Sequence, residues 1–229
     1  MSSRTWLRVI DLCLALLLAP VWLPLIALAA LVALLAQGRP VFYRAVRLGR
    51  DGTRFSMLKF RSMVLDADVQ GPQVSCASDG RITPLGRLYR KAKLDELPQF
   101  LHVLSGEMSM VGPRPESPSY LRYYDDNGRR SLAVKPGITG PGAIFFFFQE
   151  ESDRLGFEDR YIQTLLPRKL ELDAHCADRL ALQPLRTTLL MTFYTLVALV
   201  CRLASLRPPA EIQRWTRLES APLAPGQTS

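Results

Sequence analysis

Asp95 and Glu96 stand side by side behind a run of cations, Arg87, Arg90, Lys91 and Lys93. A carboxylate pair within dense positive charge can carry out phosphoryl transfer. One carboxylate attacks phosphorus or holds a metal ion, and the cations neutralise phosphate oxygens. The same pattern also describes a solvated helix face with i,i+4 pairs such as Lys91 and Asp95. Neighbouring residues on a helix point about 100° apart, so the two acids suit two different tasks rather than one shared proton. Lys59-Phe60-Arg61 is a second candidate. On a strand the two cations share a face, which gives either an anion clamp or a basic surface toward lipid headgroups. Gly112-Pro113-Arg114-Pro115 is a third. Two prolines fix the backbone around one guanidinium, whose planar fork suits a phosphate or a uracil edge; the alternative is a rigid turn with an exposed arginine.

Other chemistries are poorly supplied. His102 and His175 are the only histidines, which excludes a His-rich zinc site and argues against a Ser-His-Asp triad. Cys13, Cys76, Cys176 and Cys201 lack metal or redox spacing and read as reduced apolar residues. Phe145 to Phe148 is too apolar for an amphipathic element and points to burial or to lipid, and Glu150 and Glu151 after it read as solvated.

The elements that must position these residues are legible in outline. Apolar spacing at Leu88, Leu94, Leu97, Leu101 and Leu104 predicts a helix over 87–104, broken near Pro98. Alternation around Gly49-Arg50-Asp51-Gly52 predicts a short hairpin between Val41 and Met63. Residues 64–86 and 105–118 read as loop, and 119–133 and 158–175 as helix. Leu185 to Leu206 is apolar with flanking charge and reads as an amphipathic helix lying in a membrane plane.

From Leu12 to Ala36 there is no charge, which is long enough to cross a bilayer at about 20 residues per crossing. Both flanks are basic: Arg4 and Arg8 before, and Arg39, Arg44, Arg47, Arg50, Arg54, Lys59 and Arg61 after. The positive-inside bias therefore draws both ends to the cytoplasmic side, and Pro20 and Pro24 favour a break, so a re-entrant hairpin competes with a kinked span. Asp11 at the mouth of the run fits a helix start at headgroup level. The net charge of +8 and pI of about 9.6 point first to an anionic membrane surface. A nucleic-acid binder is disfavoured because the charge lies beside the apolar run and no binding motif is present.

KFRSM at 59–63, ITPLGRLYRKAKLDELPQFLHVLSGEMSMVGPRPE at 82–116 and KPGITGP at 135–141, after an apolar run with a central proline, resemble the bacterial sugar transferases. These are the monotopic polyprenol-phosphate phosphoglycosyl transferases. The resemblance implies Asp95 as nucleophile, Glu96 as ligand of Mg2+, a UDP-sugar donor, release of UMP, an aspartyl–phosphosugar intermediate and polyprenol phosphate as acceptor. Lys59, Arg61, Arg87 and Arg90 would serve phosphates, and Arg114, held by Pro113 and Pro115, would contact the nucleotide. The implied fold is mainly α with a short β element, an α+β domain. Residues 1–38 would form a re-entrant membrane helix-break-helix turning at Ala19-Pro20. Residues 39–206 would form a compact cytosolic catalytic domain with interfacial helices, and 207–229 a flexible tail. The implied location is the cytoplasmic face of the bacterial inner membrane, in contact with membrane lipids, with no nucleic-acid partner and with room for a homodimer.

Two departures stand out. Ala19 replaces a serine common before the hairpin proline, and Cys176, Ala181 and Leu185 fall where the family often has tyrosine, serine and aspartate. The second leaves Asp173 outside the expected catalytic set and is the only support for a competing reading, a non-catalytic membrane-anchored scaffold of the same fold. Residues 64–81 and 143–160 are the expected specificity segments for the sugar.

Overall fold

Pro20 opens a helix rather than bending one. Helix α1 runs Ser3–Leu17 and α2 runs Ala19–Gln37, with the break at Leu18 and Pro20 in the first turn of α2. A proline fits there because the first-turn N–H groups have no partner inside the helix. The Trp22 indole N–H donates to the Ala15 carbonyl at 2.9 Å, which satisfies part of the broken ladder. Pro24 lies inside α2. The computed structural model describes residues 3–71, 74–76, 78–148, 157–204 and 206–212.

Strand β1 (Phe42–Leu48) pairs antiparallel with β2 (Arg54–Phe60), with Tyr43 opposite Lys59 and Arg47 opposite Phe55. The expected hairpin is present. Asp51 and Gly52 take positive φ in its turn (57° and 75°), which glycine adopts without steric cost. Helices α3 (Pro84–Lys91) and α4 (Gln99–Ser105) follow, then β3 (Ser109–Val111), α5 (Asp126–Ser131), β4 (Gly137–Thr139) and α6 (Pro141–Phe148). The last elements are α7 (Phe157–Arg160), a π turn at Tyr161–Leu165, α8 (Leu166–Leu182) and α9 (Pro184–Leu203). The fold is therefore mainly helical with short strands.

Residues 105–118, read as irregular, contain β3, which pairs in parallel with β4. Three residues are too few for alternation to register. The pairing depends on close backbone approach instead: a Cβ on Gly137 would overlap the Gly112 nitrogen, and one on Gly140 the Gly112 carbonyl.

Helix α1 shares the main core. Ala15 packs with Ala45, Met57, Val103, Met108, Cys176 and Met191, and Leu7, Leu14 and Leu18 pack against them. Asp11 does not sit at a headgroup. It is 2% exposed and accepts from the Ser109 hydroxyl at 2.8 Å and the Met110 N–H at 2.8 Å. The carboxylate satisfies the edge of β3, a contact across 98 residues that sequence spacing does not reveal.

Helix α2 packs only one stripe, where Ala29 and Ala33 meet Phe60 and Tyr89. The Tyr89 hydroxyl donates to Ala29 O at 2.6 Å, and Trp22 stacks on Phe100 at 5.2 Å. Leu23, Leu28, Leu31 and Leu35 are exposed. In α9, Thr187, Thr188, Met191, Ala198 and Cys201 face the protein, while Leu185, Leu189, Phe193, Leu196, Val200 and Leu203 form an exposed stripe at three- and four-residue spacing. By length and composition both α2 and α9 could cross a membrane. Ile144 and Phe145 of the phenylalanine segment are buried. Within the segment expected as a tail, Ile212 is buried against Ile144 and Ala198, and residues 213–229 lie outside the described part. Glu150 and Glu151 also lie outside it.

Candidate active site

Lys93 adopts a left-handed conformation, φ 56°, and ends the helical run two residues after α3. Asp95 and Glu96 therefore sit on a 3-10 turn at Leu94–Glu96, not on a helix continuous with Lys91. The predicted Lys91–Asp95 face is lost, because a single positive-φ residue rotates everything after it. The turn instead directs both acids inward, and each is 6% exposed. Strand β2 is held against α4 beside them. His102 Nε2 accepts the Leu58 N–H at 2.9 Å, which leaves Nδ1 to donate to Glu107 at 2.7 Å.

Glu96 is already matched. Lys59 Nζ lies 3.2 Å from Oε1, and the Arg114 fork donates to Oε1 at 2.6 Å and Oε2 at 3.2 Å. Burial alone would raise its pKa, but Arg114, Lys93 and Lys59 outweigh burial and hold it well below the usual carboxylate range. Asp95 behaves in the opposite sense. Burial and the neighbouring Glu96 charge push its pKa up, with Lys59, Lys93 and Arg90 offsetting part. Its Oδ1 is buried with no hydrogen-bond partner among the described residues. A buried carboxylate oxygen without a donor is costly, and on a cavity wall a catalytic role, a water or an ion accounts for one. Burial lowers Lys59 to about 8, with Glu96 opposing.

These residues line one cavity of about 260 Å³ together with Tyr43, Arg47, Arg61, Arg90, Pro115 and Glu116. Arg90 donates to Ser62 Oγ at 2.9 Å and Ser75 Oγ at 2.6 Å on its wall. Arg61 reaches the wall but turns Nη2 elsewhere. Strand β2 ends at Phe60, and Arg61 Nη2 donates to Gln37 O at 2.6 Å and Gly38 O at 3.2 Å, capping the carbonyl end of α2. It therefore does not share a strand face with Lys59 in the way the spacing suggests. Arg87 is exposed on α3, away from the cavity lining. Pro113 lies behind Arg114, with its carbonyl accepting the Gly137 N–H at 2.9 Å.

Sequence reasoning did not include the support beneath Arg114. Lys169 Nζ, 1% exposed, lies 2.7 Å from Glu116, 3.0 Å from Arg114 O and 3.4 Å from Asp173. Asp173 accepts from Arg114 N at 3.3 Å and Gly142 N at 3.1 Å. A Cβ on Gly142 would overlap that carboxylate. Tyr161 donates to Glu116 at 2.5 Å. Burial pushes Asp173 up to about 6, with Lys169 opposing. Burial would raise Glu116 too, but Lys169 and Tyr161 hold it below its ordinary value. The i,i+4 spacing of Lys169 and Asp173 was visible in KLELD, but not that it would be buried. Arg47 was also missed as a wall residue, although the alternation 43, 45, 47 points toward the same face as Lys59.

No group of three or more His, Cys, Asp or Glu residues able to hold a metal occurs among the described residues. Magnesium sites often need only one or two carboxylates, with substrate phosphates and water completing the shell. Lys59 and Arg114 use three of about four lone-pair positions on Glu96, and Asp95 Oδ1 is open. The pair fits such a partial site.

The family model described as bacterial sugar transferase matches residues 2–198. The chain is 42% identical over 133 residues to an uncharacterized sugar transferase, EpsL, of Bacillus subtilis, covering 58% of this chain and 65% of that protein. It is 42% identical over 138 residues to a UDP-glucose:undecaprenyl-phosphate glucose-1-phosphate transferase of Caulobacter vibrioides, covering 58% of this chain and 51% of that protein. It is 39% identical over 142 residues to the Escherichia coli protein of the same name, covering 60% of this chain and 30% of that protein. The chain thus spans less than two thirds of the length of these curated relatives. With the match over residues 2–198, the chain belongs to the bacterial sugar transferase family.

Proposed function

We propose that this chain transfers a phosphosugar from a UDP-sugar to polyprenol phosphate. The observation that carries the reading is Asp95: a buried carboxylate on the cavity wall with one oxygen unpartnered, beside a Glu96 whose charge Lys59 and Arg114 already match. The two acids are electrically distinct, and that separation suits two roles. The relatives' names describe sugar-phosphate transfer to undecaprenyl phosphate, which supports the same general reaction here.

In the first step an Asp95 carboxylate oxygen bonds to the β-phosphorus of the donor. The bond from that phosphorus to the bridging oxygen breaks, and UMP leaves with the electron pair. In the second step an oxygen of polyprenol phosphate attacks the same phosphorus and the carboxylate leaves, giving a diphosphate-linked sugar. Dividing the transfer between two anions into two displacements is the service a carboxylate nucleophile provides. Glu96 would hold Mg2+, which supplies charge neutralisation on the diphosphate when bound. Arg114, fixed through its backbone by Asp173 and Lys169, presents a guanidinium to the nucleotide side. Arg90 faces the donor phosphates.

The exposed apolar faces of α2 and α9, and exposed Leu16, Leu17 and Val21 around the α1–α2 break, support placement at the cytoplasmic face of the bacterial inner membrane, with that break and α2 entering one leaflet. The two basic ends agree with that path. The lipid acceptor then reaches the cavity from the membrane side.

The test is UMP release by the full chain in lipid nanodiscs with a panel of UDP-sugars and a polyprenol phosphate. Asp95→Asn is expected to lose turnover while keeping its melting temperature. Glu96→Gln is expected to lose the Mg2+-dependent part of the rate. Full turnover by Asp95→Asn, or an unchanged metal response in Glu96→Gln, contradicts the assignment.

A further inference from the structure

The cations of the cavity wall differ in how far they are already committed. Lys59 and Arg114 are held by Glu96, Arg61 by the carbonyl end of α2, Arg81 by Asp79, and Arg90 by Ser62 and Ser75. Arg47 also lines the cavity, yet among the described residues it makes no ion pair. Its one hydrogen bond among the described residues runs to the adjacent Val46 carbonyl at 3.1 Å. A guanidinium has five N–H donors in a fixed fork, so most of its capacity is unspent. A cation paired with a carboxylate attracts an incoming anion less than an unpaired one, so Arg47 offers more charge to an incoming anion than Lys59, Arg81 or Arg114.

Its position is built rather than incidental. Tyr43, Ala45 and Arg47 alternate along β1 toward the cavity, and Met57 and Lys59 do so along β2. The Leu48 N–H donates to Glu116 O at 2.8 Å, which ties the end of β1 to the segment carrying Arg114. Arg47 and Arg114 therefore keep a fixed relation across the cavity. Among the described residues no carboxylate pairs with Arg47, although its charge helps lower the pKa of both Lys59 and Glu116.

We propose that Arg47 binds a phosphate monoester dianion in this cavity. The inference rests on the proposed transfer reaction, in which two such dianions occur: UMP as it leaves, and the head of polyprenol phosphate as it arrives. Charge on the UMP phosphate grows as the bridging bond breaks, so an uncommitted guanidinium favours that state over the bound diphosphate.

The test uses the full chain in nanodiscs, as wild type, Arg47→Gln and Arg47→Lys, with UMP alone and farnesyl phosphate alone as calorimetric probes. Melting temperature is read alongside. The expected result is a weakening of one probe by about 10- to 100-fold in Arg47→Gln, the range of a hydrogen bond to a charged group, with a smaller loss in Arg47→Lys and no thermal shift. Loss confined to UMP assigns Arg47 to the leaving group, and loss confined to farnesyl phosphate assigns it to the acceptor. Unchanged affinity for both, or equal losses accompanied by a lower melting temperature, overturns the proposal. Wild-type chain that releases no UMP from any UDP-sugar overturns the transfer reaction itself, and that arm is read independently of the variants.

Discussion

Replacing Lys169 with methionine removes the cation that the Arg114 segment rests on. In the wild type its ammonium lies 2.7 Å from Glu116 and 3.4 Å from Asp173, and donates to Arg114 O at 3.0 Å. Without it two buried carboxylates face each other and a backbone carbonyl loses its donor. Breaking a buried pair by deleting one partner costs about 3–5 kcal/mol. The cost should fall near the lower end, because Asp173, already pushed up to about 6, can take a proton and relieve the repulsion. For a domain of this size each kcal/mol lowers the melting temperature by about 2–4 °C, so the expected drop is about 6–12 °C near neutral pH.

The pH dependence has a definite sign. A carboxylate whose folded pKa is raised stabilises the fold most below its unfolded value and loses that contribution as pH rises through the folded value. For Asp173 in the wild type the window is from the ordinary 3.8 to about 6. Losing Lys169 raises that pKa further, so the gap between variant and wild type should widen from about pH 5 to about pH 8. The assay is intrinsic-fluorescence melting in nanodiscs across that range. A second substitution, Asp173→Asn, removes one of the opposed charges and should recover part of the loss at the higher pH. A drop below about 2 °C near pH 8, or a gap that narrows as pH rises, would show that Lys169 does not hold these carboxylates.

Lys59 gives a second pH prediction. A lysine lowered to about 8 loses its charge as pH rises through that value, so kcat/KM should fall on the alkaline side near pH 8. In Lys59→Arg that limb should move out of range; an unmoved limb would assign it to another group. Asp11→Ala removes the acceptor for the Ser109 hydroxyl and the Met110 N–H. It should cost about 1–3 kcal/mol in chemical denaturation, the penalty for buried groups left unsatisfied, and a variant as stable as wild type would contradict the anchoring of α1 through β3.

What the sequence made legible follows from what is local. The hairpin was readable because Asp51-Gly52 supplies the turn and the strands alternate. The bracketed Arg114 was readable because two prolines restrict the backbone wherever they stand. The break between α1 and α2 was readable to within one residue. The rest depended on contacts over long separations. Lys169 and Asp173 share a helix face whether solvated or buried, and only the arrival of Glu116, across the domain, decides which. Asp11 resembled an interfacial cap because nothing in its neighbourhood announces Ser109. The seven cations between Arg39 and Arg61 looked equivalent, yet Arg61 caps a helix, Lys59 holds Glu96 and Arg47 is left uncommitted. Lys93 gave no sign of a left-handed backbone, so the helical face drawn through Lys91 and Asp95 did not survive.

The proposed transfer requires that Asp95 become covalently bonded to the phosphosugar. It is tested most directly by intact-protein mass after rapid mixing of the full chain with Mg2+ and a UDP-sugar, with no polyprenol phosphate present. The expected result is a mass increase equal to one phosphosugar, lost on addition of the acceptor, absent in Asp95→Asn and located at Asp95 on fragmentation. UMP release and lipid-linked product formation with no adduct at Asp95 would contradict it.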